Sequence, residues 1–208
     1  MIVNPALEQY IAGLLPARDP VLAEMEAYAF ANSVPIIGPG CATILAQLVV
    51  MTGARRIFEL GSAIGYSTIW LARAAGPGAE IHYSDGDPAN AVRARGYFER
   101  AGVADRITIH TGDALMALAE TTGEFDMIFN DVDKEGYPDV HAAVPDRLRV
   151  GGVFATDNTL WKAQVLDPQD EETVGVDTFN RRIFADPRFL TSLIPLRDGI
   201  TLGIKLRP

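Results

Sequence analysis

The sequence predicts an α/β fold with a doubly wound, mostly parallel sheet of seven strands, extra N-terminal helices and a C-terminal antiparallel hairpin. From Ile57 onward, short apolar runs alternate with helical segments, which is typical of a parallel sheet covered by helices on both faces. Gly61 and Gly65 interrupt the chain directly after the first of these runs. Near the end, Arg197-Asp198-Gly199 separates two apolar runs, as the turn of a hairpin does.

Length and composition indicate one domain spanning residues 1–208, with a helical cap over 1–53 and an α/β core over 54–208. The hydrophobic content of 48% and charged content of 22% are ordinary for a soluble globular protein. A net charge of −9 argues against nucleic acid or an anionic membrane as a partner. Cys41 is the only cysteine, which excludes an intrachain disulfide, and no signal peptide or bilayer-spanning run is recognisable, so we expect a cytoplasmic protein.

The first 53 residues are predicted to be helical. Four apolar residues share one face of the first helix: Leu7, Tyr10, Ile11 and Leu14. Asp19 and Pro20 form an N-cap followed by proline at the first helical position, and a third helix is predicted over 42–51, after a loop at Gly38-Pro39-Gly40. These helices could cover the sheet edge, roof a substrate pocket, contact another subunit, or simply pack.

The predicted strands follow in order along the rest of the chain. The five parallel strands are Ile57 to Leu60, Glu80 to Ser84, Arg106 to His110, Phe125 to Asn130 and Gly152 to Thr156. The hairpin strands are Phe189 to Leu196 and Ile200 to Leu206. Asp87 is predicted to cap a helix that starts at Pro88, and His82 and His110 are predicted to be structural residues inside strands.

The end of the first strand carries a candidate ligand site. A strand, a glycine turn and a helix point backbone N–H groups at a ligand, and Gly61 and Gly65 allow close approach. Their spacing matches neither a dinucleotide fingerprint nor a P-loop. Glu59, a carboxylate in an apolar run, suits a ligand with a cationic amino group. The alternative is an ordinary strand-to-helix turn.

The next two strand ends offer further polar groups at the edge where ligands bind in such sheets. Asp85 can accept hydrogen bonds from both hydroxyls of a vicinal diol such as a ribose. Gly112, Asp113 and Ala114 suit the edge of an adenine, although Asp113 could instead be the N-cap of the following helix.

The fourth and fifth strands end in acidic residues. If these strands are neighbours, Asp131, Asp157 and Asn158 converge at one edge, because adjacent strands lie about 4.8 Å apart. Three oxygen donors without histidine or cysteine suit a hard cation. The alternative is a pair of polar loop ends.

Several segments, taken together, resemble one enzyme family over nearly the whole chain. They are Phe-Glu-Leu-Gly-Ser-Ala-Ile-Gly-Tyr-Ser, Phe-Asp-Met-Ile-Phe-Asn-Asp-Val-Asp-Lys-Glu-Gly-Tyr-Pro, Asp-Asn-Thr-Leu-Trp and Asp-Gly-Ile-Thr-Leu. The chain is similar to the class I, cation-dependent O-methyltransferases of the catechol and caffeoyl-CoA type, which use S-adenosylmethionine. The resemblance implies a Rossmann-like fold and a homodimer.

The resemblance also implies roles for individual residues. Asp131, Asp157 and Asn158 would bind a divalent cation, Mg²⁺ in the first place, with Ca²⁺ or Mn²⁺ as alternatives. Lys134 would be the catalytic base. The implied S-adenosylmethionine contacts are Glu59, Gly61, Ser67, Asp85, Asp113, Ala114 and Asp133, with Asp133 at the methionine end.

The methyl acceptor is the least determined feature. A small vicinal diphenol is predicted rather than a CoA thioester, because Arg18 is the only cation before Arg55 and residues 167–172 are acidic. The chain departs from the family pattern at Asn130 and at Lys162-Ala163, both on the substrate side. Other readings are a natural-product intermediate as acceptor, a nucleotide-binding oxidoreductase, and a non-catalytic cofactor-binding domain.

Overall fold

The computed structural model describes residues 4–208 and arranges them in three layers, a central sheet with helices on both faces. Within this range the helices are α1 (Pro5–Leu14), α2 (Pro20–Asn32), α3 (Pro39–Thr52), α4 (Tyr66–Ala75), α5 (Pro88–Arg100), α6 (Ala114–Glu120), α7 (Tyr137–Ala143) and α8 (Glu171–Ala185). The strands are β1 (Arg56–Leu60), β2 (Glu80–Asp85), β3 (Ile107–Thr111), β4 (Phe125–Asn130), β5 (Leu148–Thr156), β6 (Phe189–Ile194) and β7 (Ile200–Lys205). Short 3₁₀ segments lie at Ala104–Arg106, Lys134–Gly136 and Val144–Asp146, and an irregular segment, kinked at Lys162 and Ala163, lies at Trp161–Leu166.

The strand order confirms the predicted fold class. It is β3-β2-β1-β4-β5-β7-β6, with β1 to β5 parallel and β7 antiparallel to both neighbours. The order reverses between β1 and β4, and α/β sheets form a ligand crevice at such a point. Because β7 runs antiparallel to β5, with Thr201 opposite Thr156, the hairpin turn lies at the same edge as the carboxyl ends of β4 and β5.

Most predicted elements are confirmed, with differences at their ends. The predicted loop at Gly38-Pro39-Gly40 is wrong in part, because α3 already starts at Pro39, whose fixed φ suits the first helical position. Strand β5 starts at Leu148 rather than Gly152, and β3 starts one residue later than predicted because Ala104–Arg106 forms a 3₁₀ turn. Strands β6 and β7 end at Ile194 and Lys205.

Two apolar clusters hold the layers together. One packs α2 to α5 against one face of the sheet, and the other packs α6 to α8 against the opposite face. The predicted apolar face of α1 is helical but exposed in the single chain, with Leu7 at 54% and Leu14 at 65% exposure. The predicted boundary near residue 53 stays a prediction, and residues 1–3 of the predicted cap lie outside the described range. Among residues 4–208, no helix combines the length and apolar character needed to cross a bilayer.

Candidate functional site

A cavity of about 840 Å³ opens at the carboxyl edge of the sheet, around the point where the strand order reverses. Its wall contains residues from the carboxyl ends of all five parallel strands or the loops that follow them, and from the hairpin turn, namely Gly61, Asp85, Asp113, Asp131, Asp157 and Arg197. A cavity of this size is in the usual range for small-molecule sites.

The glycine turn after β1 is shaped by close packing. Gly61 has φ +78°, and a Cβ there would lie 2.5 Å from the carbonyl oxygen of Asp131. Gly65 has φ +84°, and its Cβ would lie 2.5 Å from the ring of Phe98. Both positions therefore need glycine, for backbone conformation and for space. Gly61 lies on the cavity wall, and Gly65 seats the start of α4 against α5.

Glu59 is fully buried within β1. Burial raises the pKa of its carboxyl to about 7, and the nearby hydroxyls of Ser67 and Thr68 oppose this shift. Thr68 donates a hydrogen bond to Oε2, whereas Oε1 has no partner among the described residues. Neither Glu59 nor Ser67 is on the cavity wall, so their predicted contacts with the ligand stay predictions.

Asp85 fixes the glycine turn and also faces the cavity. Its carboxylate accepts hydrogen bonds from the backbone N–H of Ala63 at 2.8 Å and of Asp87 at 2.9 Å, and from Nδ2 of Asn90 at 3.0 Å. These bonds orient the carboxylate at the end of β2, and Ala63, Asp87 and Asn90 line the cavity beside it. A carboxylate has about four lone-pair sites, so capacity for a ligand hydroxyl remains.

Asp113 caps a helix, which is one of the two roles that the sequence analysis allowed for it. It is the N-cap of α6, and its side chain accepts a hydrogen bond from the backbone N–H of Met116 at 2.7 Å. Asp113 and Ala114 both line the cavity, so capping and ligand contact are compatible. Asp133 also lies on the wall and is exposed, in the loop after β4.

Asp131 and Asp157 follow directly after paired residues of β4 and β5, so the predicted convergence of these carboxylates is present. Asp157 is buried, and its Oδ1 has no partner within residues 4–208. Burial, followed by the charge of Asp131, raises the pKa of Asp157 to about 7. Asn158 lines the same part of the cavity with a left-handed backbone, φ 57°, a conformation that asparagine tolerates.

This donor set differs from the commonest protein metal centres. Within the described part of the chain, no group of three or more His, Cys, Asp or Glu side chains is arranged to hold a metal. The predicted set has two carboxylates and one amide. Asp157 nevertheless has a buried carboxylate oxygen without a partner among the described residues, and it lies beside the carboxylate of Asp131. A hard cation would stabilise this pair, because it prefers oxygen ligands.

Lys134 is held in one position by several contacts. Its Nζ donates hydrogen bonds to Oδ1 of Asp131 at 2.9 Å and to the carbonyl of Val132 at 3.1 Å. The same atom lies 5.3 Å from the ring centroids of Tyr137 and Trp161. Lys134 is 9% exposed and lines the cavity. The alternative role for Lys134 is that of a surface cation that only neutralises Asp133, and the burial of Lys134 and its ion pair with Asp131 do not match that role.

Two cations on the cavity wall were not predicted as site residues, Lys162 and Arg197. Lys162 follows the conspicuous Asp-Asn-Thr-Leu-Trp segment, and Arg197 immediately precedes the predicted Asp-Gly turn. The sequence was sufficient to place Lys162 in the loop after β5 and Arg197 in the hairpin turn. They meet at the cavity because β7 runs antiparallel to β5, and no sequence pattern indicated that the hairpin turn lies at this edge of the sheet.

Comparisons with known proteins agree on one family. Residues 18–206 match a family model described as O-methyltransferase. A catechol O-methyltransferase of Niastella koreensis is 31% identical over 212 residues, covering 96% of each chain. Caffeoyl-CoA O-methyltransferase 1 of Arabidopsis thaliana is 33% identical over 172 residues, covering 76% of this chain and 66% of that protein. A crystal structure of an O-methyltransferase from Bacillus cereus in complex with SAH has a TM-score of 0.87 and 32% identity, over 96% of this chain and 97% of that one.

Proposed function

Because this chain belongs to the family of S-adenosylmethionine-dependent O-methyltransferases, we propose that it methylates one hydroxyl of a small vicinal diphenol with the help of a divalent cation. The observation that supports both the diphenol acceptor and the divalent cation is the cluster of Asp131, Asp157, Asn158 and Lys134 at one end of the cavity. A cytoplasmic location and a homodimer remain part of the proposal.

The glycine-turn end of the cavity is the proposed S-adenosylmethionine site. We assign backbone contact to Gly61, the ribose hydroxyls to Asp85 and the adenine edge to Asp113 and Ala114, all of which line the cavity. Asp133 is assigned to the methionine end. Glu59 and Ser67 are retained as contacts to the cationic amino group, supported by the unpartnered Oε1 of Glu59.

The acidic end of the cavity is the proposed cation site. Asp131, Asp157 and Asn158 would hold Mg²⁺, or Ca²⁺ or Mn²⁺, through oxygen atoms. When bound, the cation favours ionisation of the acceptor hydroxyl, and S-adenosylmethionine supplies the sulfonium methyl group.

The chain's own residues orient the acceptor and take its proton. Two adjacent hydroxyls would be fixed at the cation end, so that one oxygen faces the methyl donor, and such positioning lowers the barrier to displacement. In its neutral form, Lys134 accepts the hydroxyl proton at Nζ. The rings of Tyr137 and Trp161 beside Nζ restrict water there.

A substrate panel tests the acceptor. We expect a simple catechol or free caffeate to give a higher kcat/KM than caffeoyl-CoA, because Glu172 lines the cavity and belongs to the segment 167–172, whose exposed acidic residues would repel CoA phosphates. The opposite order would assign the CoA-thioester alternative. A natural-product intermediate is tested with the same assay, by the transfer of labelled methyl from S-adenosylmethionine.

Chelation tests the cation. Exhaustive treatment with EDTA should abolish turnover and leave S-adenosylmethionine binding largely intact, because the proposed contacts for the two ligands lie mainly on different strand ends. Full turnover in a preparation shown by metal analysis to be metal-free would refute the cation-dependent mechanism. Binding of S-adenosylmethionine without turnover of any acceptor would support the alternative hypothesis of a non-catalytic cofactor-binding domain.

A further inference from the structure

The loop after β5 and the hairpin turn have an unusual backbone where they meet the cavity. Trp161, Lys162 and Ala163 are consecutive residues with φ of 40°, 55° and 66°, and Arg197 has φ 51°. This left-handed conformation favours glycine, and side chains with a Cβ are strained in it. Strained positions at a cavity often carry function.

Among the described residues, neither cation on these loops is in direct contact with a carboxylate, although the charge of Arg197 acts against the rise in the pKa of Asp131 and Asp157. Within residues 4–208, neither Lys162 nor Arg197 forms a salt bridge. Asp198, which follows Arg197 in the sequence, instead accepts a hydrogen bond at 3.3 Å from the backbone N–H of Lys162, and this bond joins the two loops. Lys162 Nζ lies 4.9 Å from the centroid of the Trp161 ring, at the same part of the wall.

Arg197 is also placed against a helix start. A Cβ on Gly38 would lie 2.9 Å from its Nη1, and Gly38 is the N-cap of α3, without a side chain to cap the helix. The N-terminal end of a helix carries partial positive charge, so a guanidinium there is unfavourable unless an anion lies between or beside them. The residues next to this cap, Pro35 and Ile36, line the cavity.

We propose that Lys162 and Arg197 bind a carboxylate carried by the methyl acceptor, so that the preferred acceptor is an anionic catechol. The inference rests on the proposed function and narrows its substrate class. A preference for an anionic acceptor runs against the overall charge of the protein, because the net charge is −9 and most charged residues of the cavity wall are acidic. Without a local site for an anion, a cationic catechol would bind best and an anionic one worst.

Three catechols with matched size test this site: 3,4-dihydroxybenzoate, 3,4-dihydroxybenzyl alcohol and 3,4-dihydroxybenzylamine. Their Kd is measured by calorimetry with S-adenosylhomocysteine and Mg²⁺ present, and methyl transfer is measured in parallel. We expect the benzoate to bind about tenfold more tightly than the alcohol, in line with charge-assisted hydrogen bonds. The difference should shrink as salt is raised, because both cations are exposed.

Variants separate charge from backbone strain. Lys162→Gly and Ala163→Gly both relieve a left-handed position in the same loop, but only the first removes a cation. Lys162→Gly and Arg197→Asn should lose most of the preference for the benzoate over the alcohol, seen as a change in the ratio of the two Kd values and of the two KM values within each variant. Ala163→Gly should retain the preference.

The possible outcomes distinguish this inference from the proposed function. Methylation of all three catechols with equal Kd, or a preference for the benzoate that survives in both Lys162→Gly and Arg197→Asn, would overturn the carboxylate site and leave the proposed function standing. Binding that prefers the benzoate and depends on both cations, without methylation of any catechol, would overturn the proposed function and support the site.

Discussion

The contact between α8 and the Lys134 loop gives the sharpest structural prediction. Gly175 lies inside α8 and has an ordinary helical backbone, so its role is to leave space. A Cβ there would lie 2.4 Å from the carbonyl oxygen of Lys134 and 2.9 Å from Cα of Glu135. Both are backbone atoms, which cannot turn aside as a flexible side chain can. Gly175→Ala must therefore displace the loop that carries Lys134, or α8 itself.

The magnitude follows from two opposing effects. Alanine in place of glycine stabilises a helix by about 1 kcal/mol, whereas overpacking costs about 1–3 kcal/mol. Gly96→Ala is the matched control, because Gly96 lies inside α5 with nothing within 4 Å of its Cβ position. We expect Gly96→Ala to gain about 1 kcal/mol and Gly175→Ala to be less stable than this control by about 1–3 kcal/mol. For a chain of this size, that difference corresponds to about 2–12 °C in Tm.

Activity gives a second readout for the same pair. A displacement of Lys134 by about 1 Å can lower kcat by about 100-fold, whereas Gly96→Ala should leave kcat unchanged. Stability is measured by calorimetry and activity by the catechol assay, with S-adenosylmethionine affinity as a control for the glycine-turn end. A Gly175→Ala protein with the Tm of Gly96→Ala and normal kcat would refute the packing argument.

Three further predictions concern the site and the fold. Lys134→Ala should lower kcat by about 10²–10⁴-fold while retaining metal and cofactor affinity, with partial recovery at high pH; a loss below about tenfold would remove the base assignment. Asp131→Ala should lose metal affinity and turnover together, and recover part of its turnover at high Mg²⁺; unchanged metal affinity would exclude Asp131 as a ligand. Burial lowers the pKa of His82 and His110, whose ring nitrogens lie 2.9 Å apart, so the unfolded chain binds protons more readily than the folded one. The free energy of unfolding should therefore fall as the pH drops below about 6.5. In urea unfolding at pH 7.5 and 5.5, His110→Gln should lose less stability between the two pH values than the parent protein, and an equal loss would contradict the role of His110.

Local sequence signals determined the elements and their order. The strand predicted over Phe125–Asn130 matches β4 at both ends, because its centre, Met127 to Phe129, is the continuous apolar run that a strand buried on both faces needs. Asp19 and Asp87 cap α2 and α5 as predicted, because capping uses only backbone groups two or three residues away. The alternation of apolar runs with helical segments, the glycine turn and the Asp-Gly hairpin turn were likewise sufficient to predict the fold class.

Contacts between distant segments were decided only by the tertiary structure. The approach of Gly175 to Lys134, the burial of Lys134 and the absence of Glu59 from the cavity wall depend on how α8 and β1 pack, which no local pattern contains. The same holds for Lys162 and Arg197, which share the cavity because β7 runs antiparallel to β5 and returns the hairpin turn to the edge where the parallel strands end. A sequence specifies local conformation through neighbouring residues, whereas the groups that meet at a site depend on strand order and direction, which are set by packing of the whole sheet.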